Sequence, residues 1–194
     1  MNDVKRNLTP LIEPDAGREP LAARQTGMPA VVCVLQLVLA YEWLISGLDK
    51  IGNARFDSQL VVVLQQGTQG SRYGWYVSLL HQFVLPNHSL FALLVQVTEP
   101  ALGLALLLGG SLGLLRPYTR IIVYGALAAS AALLGSAFLS LNYFFQGNCP
   151  IPWINTSNSF VPGVNINILV ALISLVLLAA NLRLLYQSRP TTVE

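Results

Sequence analysis

The chain has 194 residues, 54% of them apolar and only 10% charged, and its mean hydropathy of +0.57 lies outside the balance of a soluble domain. The net charge of +2 is small and scattered, and no basic stripe is interleaved with aromatics, which excludes a nucleic-acid partner. Composition therefore predicts one integral-membrane domain in contact with lipid.

Residues 1–28 are polar, contain Pro10, Pro14 and Pro20, and hold no apolar core like a signal peptide's. They read as an extended cytoplasmic arm, free or laid against a partner. Four apolar runs follow, at about residues 29–50, 88–110, 118–141 and 164–186. Each is close to the ~20 residues that cross a bilayer as a helix. The runs are continuous and show no period-2 alternation, so they predict helices rather than barrel strands. The expected fold is an all-α integral membrane protein, a four-helix bundle over residues 29–187, with 188–194 as a tail.

Between the first two spans, residues 51–87 form a long and weakly polar connection. "FDSQLVVVLQQ" and "YGWYVSLLHQFVLP" are too short to span and are separated by "GTQGSR". They read as short interfacial or re-entrant helices over the outer mouth, with Tyr73, Trp75 and Tyr76 at headgroup depth. The connection "NYFFQGNCPIPWINTSNSFVPG" between spans three and four is neutral, rich in Asn and Pro, and a second piece of such a lid. Lys5, Arg6, Arg18, Arg24, Arg116, Arg120, Arg183 and Arg189 fall on one side of the membrane, against Lys50, Arg55 and Arg72 on the other. The excess predicts that both termini are cytoplasmic.

Ionisable groups inside the spans are the functional pointers, because an intramembrane carboxylate costs at least ~2.5–3.5 kcal/mol and needs a partner, a proton or water. Glu42, Ser46, Asp49 and Lys50 follow i, i+4, i+7, i+8 spacing and share one face of span one. Glu99 lies near the centre of span two and is followed by Pro100, which loosens the helix. These residues are expected to line a polar cavity opening outward beneath residues 51–87, with Glu99 approaching from span two. Val38, Ile45 and Leu48 form the opposite, apolar face. Such groups act either as proton carriers or as ion pairs gluing helices together, and Asp49 and Lys50 equally suit a structural pair.

Other chemistries are excluded or weak. His81 and His88 are the only histidines, and neither lies within a span opposite another, so no haem in the bundle and no metal site is expected. Cys33 and Cys149 fall at opposite ends of the bundle, too far apart for a disulfide. Trp43, Trp75 and Trp153 suit stacking on a ring or interfacial anchoring.

"WLISGLDKIGNARF" and "GWYVSLLHQFVLPNHSLFALLVQVTEPALGLALLLG" carry a Gly47-x-x-Lys50 ending to span one, an "FVLPNxxLFA" opening to span two and a Glu99-x-x-x-Gly103 pattern. With Asn167 early in span four, these segments resemble the DoxD/DoxX membrane-protein family, its DoxD branch in particular, over about residues 30–187. The resemblance implies a four-helix bundle in the cell inner (plasma) membrane, oxidation of thiosulfate to tetrathionate with quinone as acceptor, and a DoxA-like partner on another chain. On that reading quinone lies among Tyr41, Glu42, Trp43 and Glu99, with Ser46 and Asn167 lining its site and with Asp49 and Lys50 nearby. The alternative is a non-catalytic subunit of a larger respiratory or photosynthetic membrane complex, docked among other membrane-protein subunits.

Overall fold

The computed structural model describes residues 29–115, 120–148, 154–155 and 163–187. The amino-terminal arm, the tail, Cys149, Trp153 and most of the basic residues used to orient the chain lie outside them.

The four apolar runs are α1 (Ala30–Gly52), α4 (His88–Leu115), α5 (Arg120–Gln146) and α6 (Ile166–Gln187). All four are long and apolar enough to cross a membrane. Burial runs opposite to that of a soluble bundle. Val31, Val38, Ile45, Leu48, Leu90, Leu108, Ile121, Leu134 and Val176 face outward, whereas Gln36, Glu99, Ser136, Ser140, Ser174 and Asn181 are buried. Hydrocarbon satisfies the first set, and the second is satisfied only by other protein groups.

The outer connection folds into α2 (Phe56–Thr68) and α3 (Gly74–Leu79), the short helices expected there. α3 is not separate from span two. It continues through a π turn (Leu80–Val84) and a 3-10 turn (Leu85–Asn87) directly into α4. Pro86 explains the irregularity, since its ring crowds the preceding turn and it donates no backbone hydrogen bond. Leu64 of α2, Tyr76 of α3 and Leu80 form a small second core, flanked by Tyr73 and by Phe145 at the end of α5. Trp75 stacks edge-on against Phe145 and remains outward-facing, as an interfacial anchor requires. Two two-residue strands, β1 (Ile154–Asn155) and β2 (Gly163–Val164), pair antiparallel and were not foreseen.

α2 is also tied to α4 electrostatically. His88 Nδ1 lies 2.7 Å from Asp57 Oδ1, and the Ser89 hydroxyl donates to Asp57 Oδ2 at 3.0 Å. The hydrogen bond from His88 holds the Asp57 carboxyl below its ordinary value, and Ser89 adds to this. A carboxyl depressed in the folded state contributes stability above its unfolded pKa, and that contribution disappears as pH falls through the folded value. Acidification below the ordinary Asp range, about 3.9, is therefore expected to release α2 from α4. Hydrogen exchange corrected for intrinsic rate should show α2 amides losing protection before those of α4. Equal protection of both helices through that range contradicts the assignment.

Around the bundle, α1 packs most extensively on α4, α4 on α5 and α5 on α6, whereas α1 and α6 touch only sparsely. Glycines set the tight contacts. A Cβ on Gly47 would lie 2.4 Å from Pro100 Cδ, and one on Gly103 would lie 2.6 Å from Leu44 Cγ. α1 and α4 are thus in near-backbone contact at the depth where Glu99 sits.

Candidate functional site

Glu99 is completely buried, in the middle of α4. Its Oε2 accepts from Lys50 Nζ at 2.6 Å and from Ser46 Oγ at 2.9 Å, and its Oε1 accepts from the Tyr143 hydroxyl of α5. Lys50 Nζ also donates to Ser46 Oγ at 2.6 Å and stands 5.8 Å from the centre of the Tyr143 ring. Its side chain is 19% exposed, whereas that of Glu99 is not exposed at all. The Gln96 side chain donates to the Lys50 carbonyl at 2.8 Å and fixes the end of α1 against α4. One carboxylate on α4 thus collects donors from α1 and α5.

Beside the cluster is a cavity of about 130 Å³ lined by Glu42, Trp43, Ser46, Ser140, Tyr143, Ile166, Asn167 and Val170. That is close to the ~150 Å³ that admits a benzene ring. Its walls come from α1, α5 and the start of α6, filling the sparse α1–α6 seam. No residue of the 51–87 connection lines it.

The expected residues divide accordingly. Lys50, Ser46 and Glu99 converge as foreseen, and Trp43, Ser46 and Asn167 meet at the cavity. Glu42 lines the cavity and is also exposed on the outside of α1. Asp49 is exposed and outside the cluster; Lys50 pairs with Glu99, not with its sequence neighbour. Tyr41 is 67% exposed and lines no part of the site. Rotation of α1 explains the split, since at about 100° per residue Glu42 and Asp49 lie roughly a quarter to a third of a turn from Trp43, toward which α1 is buried.

The residues missed are Tyr143 and the rest of a polar seam. Trp43 Nε1 donates to Ser136 Oγ at 2.8 Å, and Ser136 lies 2.8 Å from Ser174 Oγ. Deeper in the bundle, Gln36 Nε2 donates to Asn181 Oδ1 at 2.9 Å. Gln36, Trp43 and Lys50 recur every seven residues on α1, as do Asn167, Ser174 and Asn181 on the antiparallel α6. Two facing sets at heptad spacing were the available signal. Between the seam's levels lies an apolar layer that includes Leu39, Leu133 and Leu177.

The cluster can hold a proton or exchange one with a ligand in the cavity, because Tyr143 and Ser46 touch both the carboxylate and the cavity. Glu42 is the one carboxyl lining the cavity and Lys50 is paired with Glu99, so an anion there would meet no unpaired cation among the described residues, whereas a neutral occupant needs none. No protein-family model, no curated protein and no solved structure matches the chain.

Proposed function

We propose that the chain is a quinone-linked subunit of the plasma membrane, with both termini cytoplasmic, in which Glu99 manages the protons of quinone reduction. The observation that carries this reading is a fully buried carboxylate, held by Lys50, Ser46 and Tyr143, beside a cavity the size of one six-membered ring. Quinone needs two electrons and two protons to become quinol, and its head group is neutral, which suits the cavity's charge. Lys50 then holds Glu99 in place, and Tyr143 relays a proton between Glu99 and a ring oxygen. Trp43 and Asn167 position the ring.

The same charge balance opposes a dianionic sulfur donor in this cavity. Two thiosulfate ions yield tetrathionate and two electrons, and that oxidation belongs on a partner of the DoxA kind. The test is thiosulfate-dependent quinone reduction by the complete complex purified in mild detergent, with mass analysis of the proteins that accompany it. Reduction that requires an accompanying chain supports the proposal. An intact complex that reduces no quinone overturns it.

A second reading is favoured by one observation: the two Glu99 oxygens already accept three hydrogen bonds from protein groups. A carboxylate so satisfied also serves as helix glue in an accessory subunit of a larger membrane assembly.

A further inference from the structure

Leu35, Val38, Glu42, Ile45 and Asp49 follow alternating three- and four-residue steps along α1, the spacing of a helix–helix seam, so Val38 and Ile45, expected opposite Glu42, share its face at about 100° per residue. All five are exposed, with Val38 at 59% and Ile45 at 52%. Glu42 stands about halfway along this membrane-spanning helix and makes no hydrogen bond or ion pair among the described residues. A carboxyl left toward hydrocarbon at that depth is costly whichever form it takes, and intramembrane ionisable groups ordinarily pair with one another. The seam has the apolar residues of a packing surface and, at its centre, a group that lipid does not satisfy.

We propose that this face of α1 docks a transmembrane helix of a different protein, one that presents a Lys or Arg at mid-depth to Glu42. Charge complementarity selects the occupant. A second copy in the same orientation would set Glu42 against Glu42 and Asp49 against Asp49. Another face of a second copy does no better. Arg183 is exposed on α6, but it lies nine residues deeper than Ser174, the α6 residue level with Trp43, or about 13 Å along the helix. Lys50 is already committed to Glu99. Asp49, seven residues from Glu42 toward the outer side, offers a second pairing position on the same helix. Glu42 also borders the cavity, and a neutral occupant such as the proposed quinone supplies no charge to pair with it.

The probe is a synthetic transmembrane peptide of Leu and Ala, about 20 residues long, with one central Lys and a dye. The full chain, labelled with an acceptor dye, is reconstituted with it in phosphatidylcholine vesicles, and association is read by energy transfer. The Lys peptide is expected to bind at least about tenfold more tightly than the same peptide with Leu at that position. Glu42→Gln should abolish the difference while the chain keeps its wild-type helicity and elution. Glu42→Lys should instead prefer a peptide with a central Glu. Equal binding of the Lys and Leu peptides overturns the proposal, as does an undiminished preference in folded Glu42→Gln. Energy transfer between two labelled copies of the chain that Glu42→Gln removes would assign the face to self-association and overturn it too.

Discussion

Lys50→Met should destabilise the folded bundle by about 3–5 kcal/mol, the cost of leaving one member of a buried ion pair uncompensated. Met retains most of the Lys stem, so lost packing contributes little. What changes is Glu99, fully buried and deprived of the ammonium 2.6 Å from Oε2. Ser46 and Tyr143 still donate to it but carry no charge. The reverse change should cost less, because Lys50 is partly exposed and keeps Ser46 Oγ as an acceptor when Glu99 is replaced. Lys50→Met combined with Glu99→Met should recover most of the loss, with about 1–3 kcal/mol remaining for the Tyr143 and Ser46 hydroxyls that lose their acceptor. Reversible unfolding in mixed detergent micelles measures all three variants. A Lys50→Met protein as stable as wild type would show that the pair does not hold the bundle.

Gly47→Ala should be nearly as damaging although it adds one methyl group. The new Cβ would lie 2.4 Å from Pro100 Cδ and 2.6 Å from Pro100 N. A proline ring inside a helix has no rotamer by which to withdraw, so α1 and α4 must separate. Overpacking of this kind costs about 1–3 kcal/mol, and the separation also lengthens the Lys50–Glu99 bond, three residues along α1 from the clash. The variant should therefore lose part of the ion pair's contribution as well. Gly52→Ala is the control, because nothing lies within 4 Å of a Cβ there. If the two variants unfold together, close approach at Gly47 is not what seats the site.

The four spans were legible because lipid imposes a single requirement on every exposed position, and the apolar runs record it. Their ends were less so. α5 continues to Gln146, past the expected end near 141, because Asn142 and Tyr143 look like the start of a polar loop. Asn142 instead donates to the Phe138 carbonyl within the helix, and Tyr143 turns inward to Glu99. That misplaced boundary is why Tyr143 was missed. Cost arguments found Glu99, Ser46 and Lys50 correctly. They did not separate Glu42, which lines the cavity but not the Glu99 cluster, or Asp49, which is exposed, because four polar positions define a stripe about 100° wide, and spacing alone does not say which edge is buried. The bulk of Trp43 and the absence of a side chain at Gly47 decide it, and both act only against a neighbouring helix.

On the proposed function, the buried Glu99 carboxyl takes part in quinone chemistry, beyond joining helices. Glu99→Gln tests it most directly, since the amide keeps volume and hydrogen-bonding capacity but carries no transferable proton. In thiosulfate-dependent quinone reduction by the intact complex, the variant complex should assemble normally and turn over slower by about 10²-fold or more, the usual range for losing a general acid–base group. A correctly assembled Glu99→Gln complex that reduces quinone at the wild-type rate would contradict it.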